Sequence, residues 1–299
     1  MAQPQGSPSP STEGTTRAVL RLSCTDRPGL VADVSGLLFK LGANIIGADQ
    51  HLDTDLNSFF QRIEFCFPAR TEEEREAMRQ KIADACEGWK LRVSLRFPDL
   101  WRRKAAILCS KRPHCIMDLL ARHRAGELPM DVSLVISNHR DLEEEITRRG
   151  YRFIHEAIVG GNKPDQEARI LRHLAEAKVD LVILARYMQI LSADFVAAYP
   201  ERIINIHHSF LPAFIGAEPY RQAHRRGVKI IGASSHYVTA DLDQGPIIAQ
   251  GVIRVSHRDS VEEMERKGRD IERNILAHAV RCHLEDRIIT YGNKTVVFE

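Results

Sequence analysis

No run of apolar side chains in this 299-residue sequence approaches the roughly 18–20 residues that a membrane helix needs, so no membrane partner is expected. An excess of one charge is lacking too. The 42 basic residues are offset by 40 acidic ones, and a formal net charge of +2 supplies no global field for nucleic acid. The opening MAQPQGSPSPSTEGTT has no basic start followed by an apolar stretch. Residues 1–16 are therefore read as a disordered tail, not a secretory signal, and the chain as cytoplasmic. There is no C-x-x-C. Cys24, Cys66, Cys86, Cys109, Cys115 and Cys282 are scattered, mostly inside apolar runs, and read as small buried hydrophobes in a reducing compartment. With 43% hydrophobic and 27% charged residues, the composition is that of a soluble globular protein of one large or two ordinary domains.

The periodicities divide the chain near Pro98. Residues 17–24 alternate as a strand, and the turn DRPG follows, in which proline fixes one φ and glycine frees another. Leu30, Val31, Val34, Leu37, Leu38 and Leu41 fall on one helical face, and Gly42 stops that helix. ANIIGADQHLD and SFFQRIEFCF read as paired strands. A charged amphipathic helix with a Thr71/Glu74 capping box comes next, then a fourth strand over 89–97. The order βαββαβ over residues 17–98 predicts a ferredoxin-like unit whose free face or edge strand can pair with a second copy. Residues 99–103 read as a linker. From 104 to 299, strands such as AAILCS, DVSLVISN, the near-continuous apolar VDLVILARY, and ERIINIHH alternate with helices. This predicts an α/β, doubly wound, mostly parallel Rossmann-like domain, with its site outside the carboxyl ends of the strands.

Chemistry-bearing residues collect where that rule points. In NIHHSFLPAF, Asn205 and His207 are two residues apart at a predicted strand end, which puts both on one face. His208 points to the other face and is read as packing or hydrogen-bonding there. Downstream, GASSHYVTADLDQGPIIAQ is read as a loop offering His236, Asp241 and Asp243 before Gly245-Pro246. An amide for a developing oxyanion, an imidazole for proton transfer and a carboxylate to orient it make a kit for acyl transfer or hydrolysis. Singly, each residue also has a local hydrogen-bonding explanation, such as an Asx turn for the aspartate. Joint occurrence favours chemistry. No His/Cys cluster has metal-ligand spacing, so no metal is expected.

NIHHSFLPAF followed by SHYVTADLDQGPIIAQ resembles the signature of the folate-dependent formyltransferase fold family, an Asn-x-His segment and then Leu-Asp-x-Gly-Pro-[IV]-[IL]. The resemblance runs from Lys104 to the C-terminus and implies that Asn205, His207 and Asp243 are the catalytic triad. It also implies a folate pocket walled by Tyr187, Met188, Gln189 and Leu191 on one side and by Val238, Thr239, Ala240 and Asp241 on the other. Met188, Ile190 and Leu191 read equally well as plain core. DRPGLVADVSGLL with the following GANI resembles an ACT domain, a module that pairs through its sheet and binds small amino acids. That implies Asp26, Gly29 and Asn44 as effector-binding residues, with a ligand-free dimerisation module as the alternative.

An ACT unit ahead of this catalytic domain, with ISNH, ARYMQIL and HHSFLPAFIGA, resembles the formyltetrahydrofolate deformylases over residues 17–299. The resemblance implies hydrolysis of 10-formyltetrahydrofolate, as substrate, to formate and tetrahydrofolate. It further implies formate supply to purine synthesis, balance of one-carbon folate pools, and a homo-oligomer with an even number of subunits. The alternatives are formyl transfer to an amine and a non-catalytic folate-binding regulator. Against transfer, the loop after the first strand of the domain, Cys109-Ser110-Lys111-Arg112-Pro113-His114, has no glycine to let backbone approach a phosphate. Two places depart from the family pattern: Glu218, where a neutral amide is expected, and the loose run Gly160-Gly161-Asn162-Lys163.

Overall fold

The computed structural model describes residues 14–213 and 219–299. They form two units, one running to Trp101 and including Phe298–Glu299, the other comprising Arg102–Val297. Residues 1–13 of the expected tail 1–16, and Glu218, lie outside the described residues.

The first unit contains β1 (Thr15–Thr25), α1 (Leu30–Lys40), β2 (Asn44–Asp53), β3 (Ser58–Pro68), α2 (Glu72–Gly88) and β4 (Arg92–Arg96), with sheet order β2-β3-β1-β4. Strand β1 starts at Thr15, before the expected end of the tail, because the Thr16 hydroxyl bonds the Ala69 carbonyl at 2.9 Å and extends the pairing with β3. Alternate residues Ala18, Leu20 and Leu22 face inward against Leu30, Val34 and Leu38 of α1 and Met78, Ile82 and Cys86 of α2. Both helices thus present an i, i+4 ladder to the sheet. Thr71 and Glu74 form the capping box of α2. Gly42 takes φ +74 just beyond α1. At the sheet edge, β2 is largely exposed, including Ile46 and Leu52.

The second unit contains β5 (Arg103–Cys109), α3 (His114–Arg124), β6 (Met130–Ser137), α4 (Glu143–Arg148), β7 (Phe153–His155), α5 (Lys163–Glu176), β8 (Leu181–Ala185), α6 (Ala193–Ala198) and β9 (Ile203–His207). After these come α7 (Pro219–Arg226), β10 (Ile230–Tyr237), β11 (Ile247–Arg254), α8 (Val261–Leu284), β12 (Ile288–Tyr291) and β13 (Lys294–Val297). The main sheet has the order β11-β10-β9-β8-β5-β6-β7. From β7 to β9 the pairings are parallel, whereas β10 runs antiparallel to both neighbours. Period two splits the apolar runs between two cores. Ala105, Ile107, Leu181 and Ile183 pack toward α3 and α8, while Ala106, Leu108, Val182 and Leu184 pack toward α5 and α6. Arg103, expected in the linker, instead opens β5 and is held by Asp286 at 2.6 Å. The segment expected as a loop around His236 is largely the β10–β11 hairpin, with only the turn carrying Asp243 irregular.

Candidate active site

Strand β9 ends in Asn205 and His207 on one face, with Ile204 and Ile206 anchored in the core on the other. Antiparallel pairing places His236 of β10 directly opposite Asn205. The turn after β10 then returns Asp243, whose Oδ2 lies 3.2 Å from His207 Nδ1 and whose Oδ1 lies 3.7 Å from His236 Nε2. Its backbone is left-handed at φ 56, an uncommon conformation for a residue with a side chain and one that aspartate tolerates better than most. Gly245 permits the tight return, since a Cβ there would clash with the Tyr237 carbonyl.

The hydrogen bonds assign directions to these groups. His236 Nδ1–H donates to the Tyr237 carbonyl at 2.9 Å, so its Nε2 accepts from the Asn205 amide at 3.2 Å. The amide therefore keeps one N–H for another acceptor. His207 is buried; its Nδ1 is committed to Asp243, and its Nε2 has no protein partner. Burial alone would raise the Asp243 carboxyl, but the hydrogen bond from His207, with His236 close by, outweighs it and holds the group well below the usual carboxylate range. His208 sits against the Tyr220 ring at 6.1 Å, and burial, followed by the nearby Arg186, lowers it to about 3.

These side chains line a cavity of about 350 Å³ whose remaining wall is mostly apolar. Met188, Ile190 and Leu242 line it while staying about half exposed, an arrangement that leaves apolar surface for a ligand to cover. The loop between β8 and α6 is held from α5. Glu167, itself buried, accepts the Ser192 backbone N–H at 3.1 Å, and Lys163 donates to the Ile190 carbonyl. Gly160 and Gly161, just ahead of Lys163, both take positive φ. A flat, largely apolar molecule thus has room beside a carboxylate–imidazole pair and a free amide N–H.

The sequence profile of the formyl transferase family matches residues 103–280, and that of the ACT domain matches residues 18–87. The chain is 48% identical over 284 residues to a formyltetrahydrofolate deformylase of Synechocystis sp., covering 94% of this chain and 98% of that one. The crystal structure of a formyltetrahydrofolate deformylase from Pseudomonas syringae superposes with a TM-score of 0.90 at 40% identity, covering 95% of each chain. This chain belongs to the formyltetrahydrofolate deformylase family. The second unit also resembles glycinamide ribonucleotide transformylase 1 of Symbiobacterium toebii, with a TM-score of 0.64 at 33% identity over 66% of this chain and 95% of that one.

Within this deformylase-family chain, Asn205, His207 and Asp243 converge although the aspartate is distant in sequence. Tyr187, Met188, Gln189, Leu191, Val238, Thr239 and Ala240 all line the same cavity. Asp241 does not: it is exposed, its carbonyl accepts the Thr239 hydroxyl, and Leu242 takes its place in the wall. Leu191 serves both the core and the cavity. His236 was legible only as a loop residue; its role depends on a cross-strand register that no local pattern announces.

The ACT residues are divided. Asp26 and Gly29 follow the carboxyl end of β1, whereas Asn44 opens β2 beside Cys66, which also pairs with Arg17 at the other end of β1. One chain therefore does not bring the three together. They stand at opposite ends of α1, roughly 16 Å apart for eleven helical residues. A metal-type constellation also exists that spacing along the chain did not reveal. His114, Cys115 and Glu272 place ligand atoms within 4.8 Å of one another. Arg186 lies 3.5 Å from the same glutamate and opposes a cation there.

Proposed function

We propose that this chain hydrolyses 10-formyltetrahydrofolate to formate and tetrahydrofolate. The unpartnered Nε2 of buried His207, pinned through Nδ1 to an ionised Asp243 in the wall of an apolar cavity, carries the reading. The pterin occupies the apolar part of the cavity, between the 187–191 segment and the turn after β10. A water held by Asp243 and His207 attacks the formyl carbon, and its proton passes to this pair. The resulting oxyanion accepts hydrogen bonds from the free Asn205 N–H and from protonated His207 Nε2. The proton then moves to N10, the C–N bond breaks, and the formic acid so formed gives its remaining proton to solvent and leaves as formate. No metal or organic cofactor enters this scheme.

Support for water as acceptor comes from residues 109–114, which lack a glycine cradle for a nucleotide phosphate. The likeness of the second unit to a transformylase keeps formyl transfer to an amine as the second reading. A regulator without turnover is disfavoured by the assembled Asn205–His207–Asp243 group. Incubating the purified chain with 10-formyltetrahydrofolate and no amine separates the three: hydrolysis gives stoichiometric formate and tetrahydrofolate, transfer gives neither until an amine is added, and a regulator binds without turnover.

The ACT unit supports an amino-acid effector. The separation of Asp26 and Gly29 from Asn44 fits an effector site completed between two copies, hence an even-numbered homo-oligomer, with the exposed β2 edge as a pairing surface. Amino acids that shift the rate, and whose own binding is shifted by folate, would establish that coupling. A cytoplasmic location with formate passing to purine synthesis, and a share in balancing one-carbon folate pools, complete the proposal.

A further inference from the structure

A second cavity, of about 230 Å³, opens among α3, α7 and α8. It shares Arg186 and His208 with the apolar cavity described above. Its character is the opposite. Among the described residues, Arg112, Arg186, Arg221 and Arg269 line it against two carboxylates, Glu265 and Glu272. Glu272 is fully occupied, receiving the Tyr220 hydroxyl at 2.7 Å and lying 2.7 Å from His114 Nε2. Its charge offsets part of the cationic wall, and four guanidinium groups against two carboxylates still leave the described lining net positive. Donor capacity in that wall exceeds what the protein uses. Arg186 Nε and Nη1 are buried and donate to no acceptor of the protein within hydrogen-bond geometry, although Nε lies 3.5 Å from Glu272. His114 gives Nε2–H to Glu272, which leaves its Nδ1 as a buried acceptor without a partner. The buried Arg186 donors call for an acceptor from outside the chain.

We infer that this second cavity receives the small carboxylate released by hydrolysis, with Arg186 as the group that takes formate over from the folate cavity. The inference rests on the proposed deformylation. The two products differ in kind: the pterin suits the apolar walls, whereas formate is a compact anion with no donor to hold it among Met188, Ile190, Leu191 and Leu242. The ring centroids of His207 and His208 are 5.3 Å apart, so the step from the reacting carbon to the shared wall is short. His208, lowered to about 3 by burial and then by Arg186, stays neutral and leaves the cation at Arg186. Formate drawn this way leaves without crossing the bound tetrahydrofolate, and the guanidinium needs no proton transfer to bind it.

Carbon-13 formate, observed by saturation-transfer NMR on the full chain, tests this without turnover. Saturable binding is expected that persists when tetrahydrofolate is added and that weakens about tenfold or more in Arg186→Met. Arg269→Ala, at the far wall of the cavity, should weaken it as well, and guards against misfolding of the first variant. Inorganic phosphate is the second probe. If phosphate binds tightly and formate cannot displace it, the cavity belongs to a phosphate ligand and the inference is overturned. It is also overturned if the wild type releases formate from 10-formyltetrahydrofolate yet shows no formate binding, or binding that both variants leave unchanged; deformylation would then still stand. A wild type that releases no formate sinks the deformylation reading itself, and the inference with it.

Discussion

Replacing Asp243 with asparagine should abolish most turnover while sparing folate binding. The substitution is nearly isosteric, and asparagine tolerates the left-handed φ of 56 at this position, so backbone strain is not added. What goes is the charge facing His207 Nδ1 at 3.2 Å and His236 Nε2 at 3.7 Å. An amide can still touch His207, but it cannot stabilise an imidazolium or take up a proton from water. Losing an orienting carboxylate and its proton chemistry is expected to lower kcat by about 10²–10⁴. That range corresponds to about 2.7–5.5 kcal/mol of barrier. The apolar wall is untouched, so folate affinity should change by less than about threefold, since only one polar contact is altered. Formate release without an amine measures the first quantity, and quenching of intrinsic fluorescence by folate the second. A variant that keeps wild-type kcat would show that Asp243 takes no part in the reaction. Because the carboxyl is held well below its usual range, wild-type kcat/KM should show no acid limb near pH 4 from this residue.

Three further outcomes follow from particular contacts. His208 is lowered from 6.5 to about 3 in the fold, so the unfolded chain binds a proton below pH 6.5 that the native chain refuses; stability should fall with pH through that window. The slope from this site is at most about 1.4 kcal/mol per pH unit, and His208→Gln should flatten it when urea midpoints at pH 7 and pH 5 are compared. Glu167→Gln weakens the grip on the Ser192 N–H and Lys163, and should raise KM several-fold with kcat nearly unchanged in steady-state kinetics. Gly245→Ala forces a methyl into the Tyr237 carbonyl and should cost about 2 kcal/mol or more by thermal unfolding, with activity lost as Asp243 shifts.

Much of the architecture is written in local pattern. The i, i+4 ladders of α1 and α2, the Thr71/Glu74 box and the unbroken apolar β8 each carry their own physical reason. Asn205 and His207 share a face for the simplest of these reasons, period two on a strand. Features that depend on distant pairing were not legible. The antiparallel β10 and β11 alternate weakly, and Gly232 and Gly251 interrupt their apolar pattern, so they read as loop. His236 acquires its place only from the β9–β10 register. Arg186 acquires its environment from α7 and α8, whose helices lie far along the chain. Asp241 was assigned to the wall by likeness, yet the turn points Leu242 there instead.

The facing of Asn205 and His236 across antiparallel neighbours limits how this catalyst can change over evolutionary time. Losing or gaining one residue inside either strand would swing a whole row of side chains to the opposite side and scatter the reacting groups at a stroke. Length variation among descendants of this chain should therefore gather in the connections outside those strands. Within them, lineages would be left with substitution alone as a route to a new preference.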